Sequence, residues 1–500
     1  MTNYPVIIGV GQLTNRLKSV EEAIEPAEMM AAVAQAAAAD AGKPALLSQL
    51  DSVQVVNIIA WQYPDAPALL AERIGARPAH TLYSGIGGQT PQQLINQTAQ
   101  AIAEGRIRLA LIAGVEAMQS RRLARKTDHK FDWTRGAPER MEGDNRNGFN
   151  EVEARHAVTR PVNVYPLFEN AIRAHLGHGI DEHQARLGAL YARFSAVAAD
   201  NPHAWFPEAH SSNEITTVSP NNRWVGFPYP KLMNAIMEVD QAAAVIMTGS
   251  QTARELGIPE DRWIYLRGCG DANDKWFVSE RVNYHSSPAI REATQRALGM
   301  AGIGVDDVSA LDLYSCFPSA VQMGLDALGI AADDPRPLTM TGGLAYAGGP
   351  GNNYVMHSVA RMVERLREKR DEYGLVTALG WFATKHSAGL YSARPPSGEW
   401  RRSDPSVDQA TIEAAESPPF ADAPEGAATV ETYTVLFNRD GEPEQAIVIG
   451  RLESDSHARF VANTPPERDL MLSMTRQEFV GQRGRVTAGG EGEKNVFAPS

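Results

Sequence analysis

Short apolar runs and helical stretches alternate along the first part of the chain. A β-branched run over 5–11 predicts a buried strand, and the Ala- and Met-rich stretch over 21–42 predicts a helix that ends at a glycine. A second strand is predicted over 50–58, a helix over 90–104 and another buried strand over 108–118. This alternation favours an α/β layered fold with a mixed or parallel sheet.

The same order of elements returns later in the chain. The segment 288–302 repeats the helical pattern of 26–42, and "LDLYSCF" repeats the strand pattern of "LDSVQVV". A glycine turn with its helix follows at 348–368, and a strand at 375–382. Helix, strand, glycine turn, helix and strand therefore occur twice, which indicates two matched halves.

Residues 119–245 separate these halves, which we place at 1–118 and 246–392. The separating segment starts with basic residues, becomes rich in Asn, Pro and His, and returns to the core pattern near 240–250. An interruption of this length predicts an inserted loop domain. A long connection with partial disorder is the alternative.

The C-terminal part follows another pattern. Residues 393–428 are rich in Pro, Ala, Glu and Ser, which is typical of a linker. Beyond them, 429–500 alternate apolar and polar positions on both sides of "NRDG", a hairpin signal, and further short strands follow. This pattern predicts a small β-barrel or sandwich.

Composition and charge narrow the classes of function. Hydrophobic residues make up 43% and charged residues 21% of the 500 residues, close to the globular average. A net charge of −13, with an acidic C-terminal part, argues against nucleic-acid partners but leaves room for a local basic patch. The chain lacks the pattern of a secretory signal and any apolar run of membrane-spanning length, so we expect a cytoplasmic protein without membrane insertion.

Metal binding and disulfides are not expected either. Two cysteines, Cys269 and Cys316, are too few for a disulfide framework or a Cys-rich zinc site. His175, His178 and His183 lie across a glycine-containing turn, a spacing that does not favour zinc.

The segment 83–94, "YSGIGGQTPQQL", is a glycine-rich turn that leads directly into a helix. Such turns usually present a nucleophile, or aim backbone N–H groups at an anion. Here the tip is Gly87-Gly88, which has no side chain to present.

These features together resemble the thiolase superfamily over residues 3–392. The local matches are "GVEAM" after the first turn and helix, "YPKLMNAIMEVDQAAAVIMTG" before the second half, and "TGGLAYAGGPG" at a second glycine loop. The C-terminal β-domain resembles the extension of a subgroup labelled acetyl-CoA acetyltransferases, and is similar to an oligonucleotide-fold (OB-like) barrel. The resemblance implies a duplicated, five-layered αβαβα fold and a coenzyme A thioester as substrate or ligand, without a covalently bound cofactor. It is also compatible with a homodimer formed through the core sheet.

All four catalytic positions of that family are replaced here. By motif, the nucleophilic cysteine falls at Gly88, the asparagine or histidine of the N-E-A-F type motif at Tyr314, and the G-H-P histidine at Gly349. The acid/base cysteine of the C-x-G motif falls at Ala378, two residues before Gly380. Covalent acyl transfer needs a nucleophile, so the sequence argues against the classical thiolase reaction.

Two other side chains were considered as replacement nucleophiles. Ser84 lies four residues before Gly88, and a turn-capping hydroxyl is the better interpretation. Cys316 lies within the second motif, and a buried, inert thiol is the better interpretation. With Gly88, Gly349 and Gly380, Cys316 marks the region where we expect a thioester oxygen to be held.

A basic cluster opens the insertion. It consists of Arg121, Arg122, Arg125 and Lys126, with Lys130 and Arg135 nearby. The resemblance implies that the insertion covers coenzyme A, whose phosphates need cations. A solvated positive face is the alternative.

New polar residues lie close to the replaced positions. Tyr314 and Tyr346 fall on catalytic-loop motifs, and His386 follows the last core strand. A tyrosine of lowered pKa could take a proton from a β-hydroxyl, which predicts retro-aldol cleavage of a β-hydroxyacyl-CoA. Some aldolases of the superfamily resemble this, working with tyrosines and a partner that has an oligonucleotide-fold domain. The alternatives are core aromatics and a structural histidine, which would leave a non-catalytic acyl-CoA or lipid carrier, or an assembly subunit.

Overall fold

The computed structural model describes residues 3–454 and 456–500, so the first two residues of the predicted N-terminal half lie outside it. The N-terminal half contains, in chain order, β1 (Pro5–Thr14), α1 (Pro26–Asp40), β2 (Ser52–Val55), α2 (Ala66–Arg73), β3 (His80–Tyr83), α3 (Thr90–Ala103) and β4 (Leu109–Ala117). The inserted segment contains α4 (Met118–Thr127), α5 (Glu151–Arg155), α6 (Pro161–His175), α7 (Ile180–Ala199), α8 (Ser212–Thr216), β5 (Trp224–Gly226) and β6 (Tyr229–Pro230).

The chain then returns to the core and ends in a separate β-structure. The second half contains β7 (Asp240–Gly249), α9 (Ser250–Glu255), β8 (Ile264–Asn273), α10 (Pro288–Ala301), β9 (Ala310–Asp312), α11 (Pro318–Leu328), α12 (Tyr354–Glu368), β10 (Tyr373–Gly380) and β11 (Lys385–Ser392). The C-terminal part contains α13 (Pro405–Ala414), β12 (Gly426–Phe437), β13 (Pro443–Leu452), β14 (Arg459–Asn463), α14 (Arg468–Ser473), β15 (Arg483–Thr487) and β16 (Val496–Pro499).

One nine-stranded sheet runs through both halves, in the order β3-β2-β4-β7-β1-β8-β11-β10-β9. The pairings are the same on both sides of the junction between β1 and β8: β2–β4 and β9–β10 are parallel, whereas β4–β7 and β10–β11 are antiparallel. The halves meet where β1 pairs with β8. The duplication predicted from the repeated order of elements is therefore confirmed.

The helices are layered in the same two-fold manner. The helices that follow the two glycine turns, α3 and α12, contact strands of both halves and form the central layer. On the outer faces, α1 packs against β1 and β7, and α10 packs against β8 and β11. This is the five-layered thiolase fold that the resemblance implied.

Glycines allow the outer helices to approach the strands closely. A β-carbon on Gly9 of β1 would overlap the carbonyl oxygen of Ala37 in α1, and one on Gly268 of β8 would overlap that of Ala297 in α10. The two contacts occupy equivalent places in the two halves. Any larger residue would push a helix off its strand, which explains these glycines within strands.

The C-terminal domain is a closed five-stranded barrel, in which β12 pairs with both β13 and β15. The predicted "NRDG" hairpin turn connects β12 to β13, with Gly441 at φ 83°. Strand β5 of the insertion pairs with β12, so the insertion and the barrel share one sheet.

The segment 393–428, predicted as a linker, is fastened to the core. Trp400 donates a hydrogen bond from Nε1 to the carbonyl oxygen of Leu266 at 2.7 Å, and Arg402 forms a buried ion pair with Asp271. Helix α13 lies in the same segment, and its Ile412 packs on Ala272 and Ala289.

Membrane-spanning helices and metal-binding clusters are both absent from residues 3–454 and 456–500. None of the helices there is long and apolar enough to cross a membrane. In the same residues, no cluster of three or more His, Cys, Asp or Glu side chains could hold a metal ion. His178 and His183 contact each other, while His175 stacks on His285 instead.

Candidate functional site

The phenol of Tyr314 occupies the space beside Gly88. A β-carbon built on Gly88 would overlap the Tyr314 hydroxyl and would lie 2.5 Å from the carbonyl oxygen of Leu379. The turn itself is held by the Gly87 N–H, which donates to Asn352 Oδ1 at 2.9 Å, and by Thr90, whose hydroxyl donates to the Gly87 carbonyl at 2.6 Å. The place where the resemblance puts a nucleophilic side chain is therefore filled by a neutral polar group from the second half.

Tyr314 is neutral because it is buried. Burial, followed by the proximity of Cys316 and Tyr354, raises the pKa of Tyr314 well above its ordinary value. Its ring packs edge-to-face on Tyr354 at 5.6 Å, and its backbone N–H donates to Thr377 Oγ1 at 2.9 Å. The expected lowering of the pKa is wrong for Tyr314, because loss of water is the first cause of its shift and the two neighbours that act on it, Cys316 and Tyr354, raise the pKa as well.

His386 lies on β11 opposite Leu379 of β10. Its Nε2 hydrogen-bonds to the carbonyl oxygen of Ala383 at 2.8 Å and lies 3.7 Å from Asp274 Oδ2. Burial lowers the pKa of His386 to about 4. The ring is therefore neutral at pH 7, with Nε2 as the donor because a carbonyl oxygen can only accept.

Tyr314 and His386 border the same small cavity, together with Ala378 and Leu379. Its volume is about 10 Å³, which is room for about one water molecule. An acyl group does not fit there without movement of the walls.

Tyr346 lies elsewhere. Its ring contacts those of Tyr191 and His210, and its buried hydroxyl has no hydrogen-bond partner within the described residues. Burial raises the pKa of Tyr346 strongly. The structure thus groups two of the three predicted catalytic side chains and leaves the third in another aromatic cluster.

The remaining candidates around the glycine turns have structural contacts. Burial raises the pKa of the Cys316 thiol to about 12, which makes it a poor nucleophile. The Ser84 hydroxyl accepts from the Asn57 N–H and donates to the Gly85 carbonyl, both at 3.0 Å, as a turn cap does. A β-carbon on Gly380 would overlap the side chain of Gln89, so this glycine permits close contact between β10 and the first turn.

The second glycine loop hydrogen-bonds to the backbone of Ile236 in the insertion. The Gly349 N–H donates to the Ile236 carbonyl at 2.8 Å, and the Ile236 N–H donates to Leu344 at 3.1 Å. A β-carbon on Gly349 would have Leu344 Cδ2 at 3.2 Å. The histidine that the resemblance places at this position would therefore need its neighbours to move.

Ile236 also lines a large cleft. Its volume is about 1,090 Å³, and its apolar lining includes Trp205, Phe206, Ile236 and Met237. Six cations from three parts of the chain surround it: Arg122, Arg125 and Lys126 of α4, Arg223 and Lys231 of the insertion, and Arg439 of the barrel. We call this feature the basic cleft.

The cations of the basic cleft are not neutralised within the protein. Glu238 is the only acidic residue that lines it, and none of the six cations forms an ion pair within residues 3–454 and 456–500. Unpaired cations that converge on one cleft raise the local positive potential and attract an anionic ligand, even on a protein of negative net charge. Three of the four predicted coenzyme A-binding cations lie here, whereas Arg121 is not among the lining residues.

Asp240 fixes the start of α4 and so positions its cations. The Asp240 carboxylate accepts from the N–H groups of Gln119 and Ser120 at 2.9 and 3.1 Å, where an anion also complements the helix dipole. Glu116, the acidic residue of "GVEAM", accepts from the N–H groups of Ile59 and Ala60, and burial raises its pKa to about 8.

Sequence reasoning missed half of the basic cleft. Lys231 stands in the segment "YPKLMNAIMEVDQAAAVIMTG", which carries the resemblance but no local signal for a ligand. Arg223 and Arg439 carry no local signal, since a single arginine in a loop or a hairpin turn is ordinary. Only the packing of the barrel on the insertion brings them together.

Comparison with known proteins gives three findings beside a family match. Residues 408–491 match the family described as the thiolase-like protein type 1 additional C-terminal domain. The solved structure of a monomeric SCP2-thiolase-like protein type 1 from Mycobacterium smegmatis is 36% identical, with a TM-score of 0.86 and 99% of each chain covered.

The other two relatives are more distant. An acetyl-CoA acetyltransferase of Methanocaldococcus jannaschii is 24% identical over 271 residues, which span 54% of this chain and 62% of that protein, less than two thirds of its length. The Ltp2–ChsH2(DUF35) aldolase is 17% identical with a TM-score of 0.60, and the match covers 78% of this chain and 98% of the other. At that identity the likeness concerns the fold alone.

Proposed function

Because this chain belongs to the SCP2-thiolase-like proteins of type 1, we propose that it binds a coenzyme A thioester without forming an acyl-enzyme. The observation that carries the proposal is the basic cleft with its six unpaired cations. Coenzyme A has a pyrophosphate and a ribose phosphate, and phosphate oxygens accept charge-assisted hydrogen bonds from arginine and lysine.

The apolar lining suits the other parts of that ligand. Trp205 is half-buried and Phe206 is 43% exposed, so both rings offer a face on which an adenine could stack. Ile236 forms the wall between the basic cleft and the Gly349 loop. A ligand whose pyrophosphate lies against α4 would then point its thioester towards the glycine loops.

The absence of a nucleophile separates binding from the thiolase reaction. Gly88 has no side chain, the pKa of the Cys316 thiol is raised to about 12, and the hydroxyls of Ser84 and Thr90 are engaged in hydrogen bonds that hold the turn, so none of these positions supplies an activated nucleophile. We therefore expect binding of acyl-CoA without thiolysis.

Calorimetric titration with coenzyme A and acetyl-CoA tests the proposal, with acetate as a ligand control. We expect micromolar affinity that weakens with salt, and at least about tenfold weaker binding in Arg125→Gln/Lys126→Gln, because two charge-assisted contacts are removed. Arg476→Gln/Lys494→Gln removes two exposed barrel cations outside the cleft and is the matched control. Failure of the unmodified protein to bind, or equal affinities of the two double variants, would contradict the proposal.

Retro-aldol cleavage of a β-hydroxyacyl-CoA is the second candidate function. The observation in its favour is the neutral Tyr314 phenol at the site beside Gly88. In the cleavage the β-hydroxyl proton passes to a water molecule and the Cα–Cβ bond breaks to give an aldehyde. The thioester enolate takes a proton at Cα from the Tyr314 phenol, which regains one from solvent. A neutral phenol suits the proton donation and the hydrogen bond to the enolate oxygen, rather than the removal of the first proton.

Incubation with 3-hydroxybutyryl-CoA, followed by assay of acetaldehyde and acetyl-CoA, tests this second candidate. Tyr314→Phe is expected to abolish turnover while changing coenzyme A affinity less than about twofold, since the phenol contributes to the reacting state rather than to phosphate binding. Tyr346→Phe, in the other aromatic cluster, should keep turnover. No product from the unmodified protein leaves only the binding function.

A further inference from the structure

The C-terminal barrel is held rigidly against the inserted segment. Tyr433 and Thr434 of β12 hydrogen-bond to Asn170 of α6 and to the Phe227 carbonyl, at 2.9 and 3.0 Å. Arg173 of α6, which is fully buried, forms an ion pair with Glu478 of the barrel. These contacts fix where the loops of the barrel point.

The strand register brings the barrel turn to the basic cleft. Leu436 of β12 lies opposite Gly226 of β5, and the two strands are antiparallel. Arg439 lies three residues after Leu436 in the barrel, and Arg223 lies three residues before Gly226 in the insertion. Both arginines line the cleft, together with the cations of α4.

The turn that carries Arg439 is well ordered by its own hydrogen bonds. The Asn438 side-chain oxygen accepts from the N–H groups of Asp440 and Glu442 at 2.9 and 3.0 Å, and the Gly441 N–H donates to the Asn438 carbonyl at 3.2 Å. The Arg439 side chain is exposed and forms no ion pair within the described residues, although Asp440 is its neighbour. The ordered turn fixes the backbone of Arg439, while its side chain is available to bind a ligand.

We propose that the barrel is part of the ligand site, and that Arg439 with Arg223 binds the ribose 3′-phosphate of coenzyme A. This inference rests on the proposed function and extends it to a residue of the added domain. The thioester end points to the glycine loops, so the phosphate most remote from the thioester lies at the edge of the cleft that the barrel closes. Two arginines facing one dianion give the charge-assisted contacts that phosphate recognition needs.

Comparison of coenzyme A with dephospho-CoA, which lacks only this phosphate, tests the inference by calorimetry. The unmodified protein is expected to bind coenzyme A about tenfold more tightly than dephospho-CoA, a preference that falls below about twofold in Arg439→Gln. The dephospho-CoA affinity should be unchanged by that substitution. Arg476→Gln, in the same barrel but outside the cleft, should keep the tenfold preference.

The outcomes separate this inference from the function on which it rests. If coenzyme A binds and Arg439→Gln keeps the preference for it, the barrel contact is overturned while the binding function stands. If neither ligand binds to the unmodified protein, the proposed function fails and the inference fails with it. Arg439→Lys should retain part of the preference, which a loss of fold would not allow.

Discussion

Gly88 has no side chain, and the Tyr314 hydroxyl occupies the space where its β-carbon would lie. The β-carbon that every residue except glycine carries would overlap the Tyr314 hydroxyl and press on the Leu379 carbonyl. A nucleophilic side chain could not be introduced at position 88 by substitution of that residue alone, because neighbouring atoms already occupy the space that it needs.

Gly88→Ala is therefore expected to lower the free energy of unfolding by about 1–3 kcal/mol, the usual cost of overpacking a core. Tyr314→Phe removes the hydroxyl but leaves the Leu379 carbonyl 2.5 Å away, so it should reduce that cost only in part. Urea unfolding of the single and double variants measures both effects.

Gly299→Ala is the matched control for this cycle. A β-carbon on Gly299 in α10 would meet nothing within 4 Å, so alanine there should be neutral or slightly stabilising. If Gly88→Ala unfolded at the same urea concentration as Gly299→Ala, the Tyr314 hydroxyl would not be where we place it.

At the scale of elements, β11 carries a buried histidine that makes stability depend on pH. Burial lowers the pKa of His386 to about 4, Arg281 acts in the same direction, and Asp274 and the Ala383 carbonyl act against it. Below pH 6.5 the unfolded chain binds a proton at this histidine that the folded chain does not bind until about pH 4. The folded state is therefore destabilised as pH falls from 6.5 to about 4, and no further below that.

His386→Gln removes this one contribution. The variant is expected to be less stable than the unmodified protein at pH 7, because the contact with the Ala383 carbonyl is altered, but the difference should shrink by up to roughly 3 kcal/mol by pH 4. Urea unfolding at pH 7, 5.5 and 4.5 measures the narrowing. His129→Gln, at an exposed site, should run parallel to the unmodified protein. A His386→Gln curve that stays parallel as well would show that the buried ring is already charged.

The duplicated elements explain which parts of the fold are rigid. Each half supplies one helix to the central layer and one to an outer face, and the glycines Gly9 and Gly268 let the outer helices lie directly on their strands. Such close backbone packing tolerates few alternative arrangements. The side chains proposed to act in binding lie in turns, loops and one short helix rather than in these packed layers.

At the scale of the whole molecule, the barrel packs directly against the rest of the protein and is not connected to it by a linker alone. Its Arg459 is fully buried, pairs with Glu431 and donates to the carbonyl oxygens of Ser279 and Arg281 in the second half. Together with the Arg402–Asp271 pair of the preceding segment, this binds the C-terminal part to the core, while the Arg173–Glu478 pair binds it to the insertion. A homodimer through the core sheet stays a prediction; the edge strands of that sheet are β3 and β9.

The sequence by itself predicted the layered fold and the duplication, and the resemblance placed Gly88, Tyr314, Gly349 and Ala378 at the four catalytic positions of the superfamily. Apolar periodicity and glycine turns act over a few residues, so they can be recognised wherever they occur in the chain. The repeated order of elements and the spacing of the motifs then located Gly88, Tyr314 and Gly349 without any knowledge of contacts.

Only the tertiary structure decided the chemistry of the site. That the Tyr314 hydroxyl covers Gly88, and that Arg439 lies in the same cleft as Arg125, are contacts between residues far apart in the chain. The pKa values of Tyr314 and His386 follow from burial, which is a property of the packed molecule. A sequence pattern cannot supply these facts, because burial and long-range proximity arise only when the layers, the insertion and the barrel are packed together.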